Sequence, residues 1–289
     1  MALRIAQTFS GEIVNFDALQ LYRGFDIGTA KTPATARCDI SHHLFDVLDP
    51  QMGSSAGDYA RSAREIIAGI ASRGRLPVAV GGTGFYLRAL LDGLPALPAR
   101  DESLRARLKN REERRPGALH KLLQRLEPAA AARIHPRDIQ KLTRALEIRT
   151  LTRTPLPSPS TAKPLNGFRL FQLGLAPDRT LLMEAIAART RRMFDEGLVE
   201  EVRGLLAHGL SGDEKPFESL GYKQVVAYLR GQTTLEQARE STETETRQYA
   251  KRQLTWFRRD PRILWLEGFG SDASIAATGL EAVRKFLSI

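Results

Sequence analysis

The chain has 289 residues, 42% of them hydrophobic, with 43 Lys and Arg against 33 Asp and Glu and a formal net charge of +10. That length suits one large domain with an insertion or a small second domain, and leaves enough apolar residues for a sizeable core. No stretch approaches the ~18 apolar residues of a membrane span and no signal-peptide pattern opens the chain, while the single cysteine, Cys38, excludes an internal disulfide.

A cytoplasmic protein is therefore expected, and its charge suits a polyanion such as RNA, DNA or a diphosphate. Arginines spread over solvated helix faces give the same total, so placement carries more weight than the sum. Residues 3–9 have Leu3, Ala6 and Gln7 at helical spacing and read as the tail of an amphipathic helix with almost no beginning. Glu12 to Phe16 is an apolar run of strand length, and Asp17 stands where that strand ends. Ligands of open α/β sheets collect at the carboxyl ends of strands, which makes Asp17 the first catalytic candidate. The run Asp17-Ala18-Leu19-Gln20 fits a helix N-cap with Gln three residues on equally well.

Tyr22 to Thr35 is rich in Gly, Thr and Pro and reads as loop or short helix carrying Asp26, Gly28, Thr29 and Lys31. His42 to Leu48 reads as a strand closed by Asp49-Pro50, on which the two neighbouring histidines point to opposite faces and do not pair as metal ligands. Residues 58–72 form a helix burying Ala60, Ala63, Ile66, Ile67 and Ile70. Leu76 to Val80 is the next strand, followed by Gly81-Gly82-Thr83-Gly84 and a helix from Phe85 to Leu91. Strand, glycine turn and helix bring backbone amides toward phosphate or substrate oxygens, although an ordinary tight turn has the same composition.

From Asp101 to Leu151 the pattern is helical and charged, with helices at 101–114, 117–126 and from Asp138 onward, before the proline-rich exposed loop at 155–164. Phe168 to Leu175 returns to strand, so the helical block reads as an insertion at 101–165 in an α/β core formed by 1–100 and 166–289. Residues 178–208 are amphipathic helix broken at Gly197 and Gly209.

Residues 236–259 hold the strongest nucleic-acid signal. In TRQYAKRQLTWFRR, Arg247, Lys251 and Arg258 line one helix face, Ala250, Leu254 and Phe257 the buried face, and Tyr249 and Trp256 a third. Cations beside aromatic rings suit phosphate contact and base stacking. The bland alternative is a solvated basic helix packed by its aromatics.

Six ordered stretches together resemble the tRNA dimethylallyltransferases: GEIVNFDALQLYRGFDIGTAK at 11–31, HHLFDVLDP at 42–50, RGRLPVAVGGTGFYLRALLDGL at 73–94, IHPRDIQKLTRALEI at 134–148, LGYKQ at 220–224 and TRQYAKRQLTWFRR at 246–259. The resemblance implies an α/β fold, a P-loop-kinase-like parallel sheet core with a helical insertion. It also implies transfer of a dimethylallyl group from dimethylallyl diphosphate to the exocyclic amine of the adenosine 3′ of the anticodon, with Mg²⁺ as cofactor and the tRNA anticodon stem-loop as partner, by a monomer with no membrane contact. Asp17 matches the catalytic aspartate and Thr83 a threonine at the target base. Ala18, Leu19 and Gln20 fall in the substrate segment after Asp17. Arg105, Gln140, Lys141, Leu142, Thr143 and Arg144 match tRNA-contacting positions, as do Arg247, Lys251, Arg252 and Gln253 in the basic helix. Arg189 is the candidate extra cation for the diphosphate.

The departures from the family pattern are a missing first strand and glycine-rich phosphate loop, Phe16 and Ala18 flanking the aspartate, and Lys141 in place of Arg. They imply a reading frame extending upstream by about one strand, one glycine-rich loop and a few residues, and weak tRNA binding at best with no prenyl transfer by the 289-residue chain alone, with Arg189 and Lys31 the first suspects for another diphosphate site if it does turn over. Two other readings remain: an adenylate isopentenyltransferase, for which the insertion and basic helix are superfluous, and a non-catalytic RNA-binding remnant. A phosphotransferase would share only the fold.

Overall fold

The computed structural model describes residues 1–95, 97–157 and 162–288. The backbone falls into two units, Met1–Leu91 with Leu165–Ile289, and Asp92–Pro164.

The first unit opens with α1 (Ala2–Thr8), β1 (Gly11–Asn15), β2 (His42–His43), α2 (Ala56–Ser72), β3 (Leu76–Val80) and α3 (Gly84–Leu91). Met1 stands at the cap position of α1 and makes no side-chain cap bond, whereas Ser55 caps α2 by accepting the Asp58 N–H. Every residue of β1 is buried, as covering both faces of a parallel strand requires, and its two polar members are paired, Glu12 with His43 and Arg73 and Asn15 with the Leu44 carbonyl. The sheet order is β2-β1-β3, all parallel, with Ile13 opposite both His42 and Val78.

The strand expected over 42–48 stops after His43 because Leu44 and Asp46 adopt φ of 62° and 56°, outside the range a strand allows. That turn places the Leu44 carbonyl on the Asn15 side chain at 2.8 Å and the Asp46 carboxylate on Lys31 at 2.5 Å. His43 reaches Glu12 and His42 reaches the Ile40 carbonyl, so the two rings do diverge.

The second unit is helical: α4 (Glu102–Arg114), α5 (Ala118–Leu126), α6 (Pro128–Ala131) and α7 (Ile139–Thr152). Asp101 and Asp138 cap α4 and α7 around a core that includes Leu104, Leu119, Leu123, Leu142 and Leu146. Its proline-rich end has no helix or strand at residues 155–157 and 162–164; residues 158–161 lie outside the described part.

The first unit then resumes with β4 (Gln172–Leu175), α8 (Arg179–Asp195), α9 (Leu198–Ala207), α10 (Tyr222–Leu229), α11 (Leu235–Phe257), β5 (Ile263–Leu266) and α12 (Ala273–Leu287). β4 is shorter than the strand expected over 168–175, since only its last four residues pair, in parallel, with β5. Phe25 packs on Tyr222 with ring centroids 4.7 Å apart and on Phe217 at 5.0 Å, which fastens the segment after Asp17 to α10. No helix among the described residues is long and apolar enough to cross a membrane.

Candidate active site

Asp17 lies two residues past the end of β1, in a turn set by a fully buried asparagine. The Asp17 N–H donates to Asn15 Oδ1 at 2.7 Å, and Asn15 Nδ2 donates to the Asp17 carbonyl at 3.0 Å. Asp17 Oδ1 in turn accepts the Leu19 N–H at 2.9 Å. This is an Asx turn, and no helix follows it, so the helix-cap reading of Asp17 is corrected to the cap of a single turn. Burial pushes the Asp17 carboxyl above its ordinary pKa, while the backbone N–H groups of Leu19 and Gln20 and the charge of Arg189 on α8 offset only part of the rise.

The glycine turn after β3 closes over this residue. Thr83 Oγ1 accepts the Ala18 N–H at 3.0 Å. A Cβ on Gly81 would lie 2.6 Å from the Phe16 carbonyl carbon and 2.7 Å from the Asp17 nitrogen, so only glycine lets β3 end this close to Asp17. From α11, Gln253 Nε2 donates to the Gly82 carbonyl at 3.0 Å, and the Trp256 indole packs so closely on Gly84 that no side chain fits there. Tyr249, also on α11, has its hydroxyl pKa raised by burial and by the negative charge of Asp17. Asp17, Thr83, Arg189, Tyr249 and Gln253 thus converge, one carboxylate among one cation, hydroxyls and an amide.

Several expected residues have other duties. Gln20 Nε2 donates to the Thr29 carbonyl at 3.0 Å and ties its own loop together. Lys31 is no reserve cation for a diphosphate: it is buried, and its Nζ donates to Asp26, Asp46 and the Tyr22 carbonyl. On α11, Arg247 pairs with Glu243 and Arg252 lies over the Tyr249 ring at 5.7 Å, while Lys251 and Arg258 are exposed. Ala250, Leu254 and Phe257 are only half-buried, since they border a cavity instead of a filled core.

In the helical unit Gln140 and Lys141 are exposed and Thr143 is half-buried. Leu142 is fully buried in that unit's core, so its side chain packs the helix and faces no ligand, which corrects its placement among the tRNA-contacting positions. Arg105 and Arg144 converge on the fully buried Glu147 at 2.9 and 2.5 Å, joined by the Asp101 N–H at 2.8 Å. Burial pushes Glu147 up, but the bonds from Arg144, Asp101 and Arg105 outweigh it and hold the carboxyl below its usual range.

Sequence reasoning missed Asn15 and the close approach at Gly81, and it read Tyr249 as a stacking ring of the basic helix without placing it beside Asp17. The polar Asn15 closing a buried strand was a visible signal; the approach of Gly81 and the place of Tyr249 depend on elements far apart in sequence. Among the described residues no three His, Cys, Asp or Glu side chains gather in an arrangement able to hold a metal ion. Mg²⁺ is ordinarily held by one or two carboxylates together with substrate phosphates and needs no such cluster; Asp17 is the carboxylate that this site would offer it, and no step below runs through the ion.

The IPP transferase family profile matches residues 20–260. A tRNA dimethylallyltransferase of Solibacter usitatus is 53% identical over 99% of this chain and 94% of its own length, and one of Koribacter versatilis is 49% identical over 98% and 93%. Among solved structures, the full-length tRNA isopentenylpyrophosphate transferase of Bacillus halodurans is similar with a TM-score of 0.71 at 35% identity, over 99% of this chain and 90% of that one. A eukaryotic dimethylallyltransferase acting on tRNA gives a TM-score of 0.83 at 25% identity, over 99% and 75%. With most of its length matched by the family profile and by relatives this similar, the chain belongs to the IPP transferase family.

Proposed function

We infer that this protein transfers a dimethylallyl group from dimethylallyl diphosphate to the exocyclic amine of the adenosine 3′ of the anticodon in tRNA. The observation that carries the reading is Asp17: a carboxylate at the carboxyl end of a buried parallel strand, made more basic than usual by burial, with a cation beside it. The amine nitrogen is a weak nucleophile because its lone pair is delocalised into the purine ring. As that nitrogen bonds to C1 of the dimethylallyl group, the C1–O bond to the diphosphate breaks, and the amine proton passes to the Asp17 carboxylate. A base with a pKa drawn toward the working pH suits that transfer. Arg189 is the cation this site offers to the leaving diphosphate, and the Thr83 hydroxyl, still able to donate its hydrogen, faces the acceptor base. The names of the relatives, each a tRNA-modifying transferase, support the same substrate pair. The exposed cations of α11 and the helical unit's Gln140 and Lys141 are assigned to the tRNA backbone.

The test is transfer from dimethylallyl diphosphate to an unmodified anticodon stem-loop, read by mass spectrometry of the adenosine, with adenosine monophosphate as the competing acceptor. Prenylation of the stem-loop supports the reading. Prenylation of the free nucleotide alone would make the chain an adenylate isopentenyltransferase, and RNA binding with no product from either acceptor would make it a binding protein.

A further inference from the structure

Between Asp17 and Lys31 the backbone forms turns, with one isolated bridge from Tyr22 to Leu48 and no helix or strand. Side chains arriving from α9 and α10 set the place of this segment. Glu201, in the first turn of α9, accepts the Ile27 N–H on Oε2 at 2.9 Å, and both its oxygens lie 3.3 Å from the Asp26 nitrogen. Tyr222, the tyrosine of LGYKQ, opens α10 and is fully buried. Its hydroxyl donates to Glu201 Oε1 and accepts the Gly28 N–H at 3.1 Å. One carboxylate and one phenol thus take the N–H groups of three consecutive residues, Asp26, Ile27 and Gly28. Burial pushes the Glu201 carboxyl above its ordinary pKa, and the bonds from Ile27 and Tyr222 offset only part of the rise. Burial and the charge of Glu201 push the Tyr222 hydroxyl up as well, so it stays protonated and donates.

The loop returns to the catalytic turn through Gln20. The Thr29 carbonyl, one residue past Gly28, accepts Gln20 Nε2 at 3.0 Å, and the Gln20 backbone N–H is one of the two that hold the Asp17 carboxylate. The other side of the grip belongs to the element that carries the cation. α9 follows α8 after a turn at Gly197, whose carbonyl accepts the Glu201 N–H at 2.9 Å, and α8 carries Arg189. Glu201 therefore joins the segment that orients the base to the helix pair that bears the cation.

We propose that Glu201 is a positioning residue of the transfer reaction, acting through Tyr222, the loop of Asp26 to Thr29 and Gln20 to hold the Asp17 carboxylate in register with Arg189. The assignment deepens the transfer reading and rests on it. The chemistry calls for a carboxylate, because the Asp26 N–H, the Ile27 N–H and the Tyr222 O–H are all donors. An amide of the same shape offers one acceptor oxygen and turns its own N–H groups toward the remaining donors. LGYKQ accordingly works from inside the protein, its tyrosine braced against the loop rather than against a ligand.

Glu201→Gln and Tyr222→Phe preserve the shape of both side chains and leave the packing of Phe25 in place. Each is compared with the unaltered protein in single-turnover transfer to the anticodon stem-loop, in equilibrium binding of stem-loop and of dimethylallyl diphosphate, and in amide exchange without substrate. Glu201→Gln is expected to lower the saturated rate on the order of 10²-fold with both affinities unchanged, and Tyr222→Phe to lower it less. Exchange is expected to quicken by about tenfold or more at Ile27 and Gly28 and also at Leu19 and Gln20, the N–H groups on Asp17. Gln20→Met lowers the rate too, and Glu201→Gln adds little to it, since both cut the same connection. Faster exchange confined to residues 26–28 overturns the proposal, as do additive rate losses for the Gln20 and Glu201 variants, or a lower Tm with an unchanged saturated rate. If Glu201→Gln does not fold, Tyr222→Phe decides by the same readouts. An unaltered protein that prenylates no stem-loop sinks the transfer reading, whereas exchange at Leu19 and Gln20 needs no substrate, so the two failures are distinguishable.

Discussion

Thr83 Oγ1 accepts the backbone N–H of Ala18 at 3.0 Å, so one hydrogen bond ties the turn after β3 to the residue that follows Asp17. Thr83→Val removes the acceptor at nearly constant shape, and Thr83→Ser keeps it. A single such bond contributes about 0.5–1.5 kcal/mol to stability, but a displaced Asp17 misses the amine, and a misplacement of that kind costs on the order of 10²-fold in rate. Thr83→Val is expected to lose far more kcat than Tm, with Ser restoring most of it. Steady-state kinetics beside a melting curve checks this, and parallel loss in both variants would give the hydroxyl a different role.

Asp17→Asn is expected to keep fold and RNA affinity and to lower single-turnover transfer by about 10² to 10⁴. The raised pKa of Asp17 fixes the sign of the pH dependence. The base form is lost as pH falls through that pKa, so kcat/KM declines on the acid side starting above the pH at which an ordinary carboxylate protonates. A rate profile with no acid limb there, or near-normal transfer by the Asn variant, removes Asp17 from the chemistry and leaves it as the cap of its turn.

The cations of α11 are expected to act through phosphate. Replacing Lys251 and Arg258 together by Ala weakens tRNA binding and flattens the slope of log affinity against log salt by about one unit for every phosphate left unneutralised, with little change in prenyl diphosphate affinity. Fluorescence anisotropy across a salt series measures it. An unchanged slope accompanied by a lower Tm would make these side chains structural.

Glu147 carries a prediction about stability. Its folded pKa lies below the unfolded value, so its contribution is fully present above the unfolded pKa and is lost as pH falls through the folded one. Replacing Arg105 and Arg144 together by Met strands a fully buried carboxylate and is expected to cost about 3–5 kcal/mol, with the deficit shrinking in acid as Glu147 protonates. Urea titrations at two pH values decide it. If tRNA affinity dropped with no loss of stability, both arginines would belong to the RNA surface.

Legibility followed the range of the physics. Leu76 to Val80 was readable to the residue because an apolar run between Gly74 and Gly81 leaves a buried strand few other boundaries. The helices at 102–114, 118–126 and 139–152 were readable because capping aspartates and leucine spacing are local. The strand at His42 was overextended because the left-handed Leu44 and Asp46 answer to Asn15 and Lys31, which no window around them contains. Asp17 could be singled out from its place after β1, and its Asx turn is local, but its burial and the approach of Gly81 come from elements far along the chain. Leu142 was misplaced for a related reason: a motif shows which segment lies near a ligand, but not which of its side chains turn inward.

Phe25 is held between Phe217 and Tyr222, and the Gly28 N–H donates to the Tyr222 hydroxyl across 194 residues of sequence at 3.1 Å. A Cβ at Gly28 would come within 2.2 Å of the Tyr222 ring, so this seat admits one residue type. During synthesis the segment carrying Asp26 to Lys31 leaves the ribosome long before its anchor exists. At ordinary elongation rates of 5–20 residues per second the wait is roughly ten to forty seconds. Through that interval Phe25 lacks the two rings that bury it. The order of assembly is thereby set by chain length: the loop beside Asp17 locks only after α10 has emerged, and a nascent chain halted before Tyr222 has no finished site.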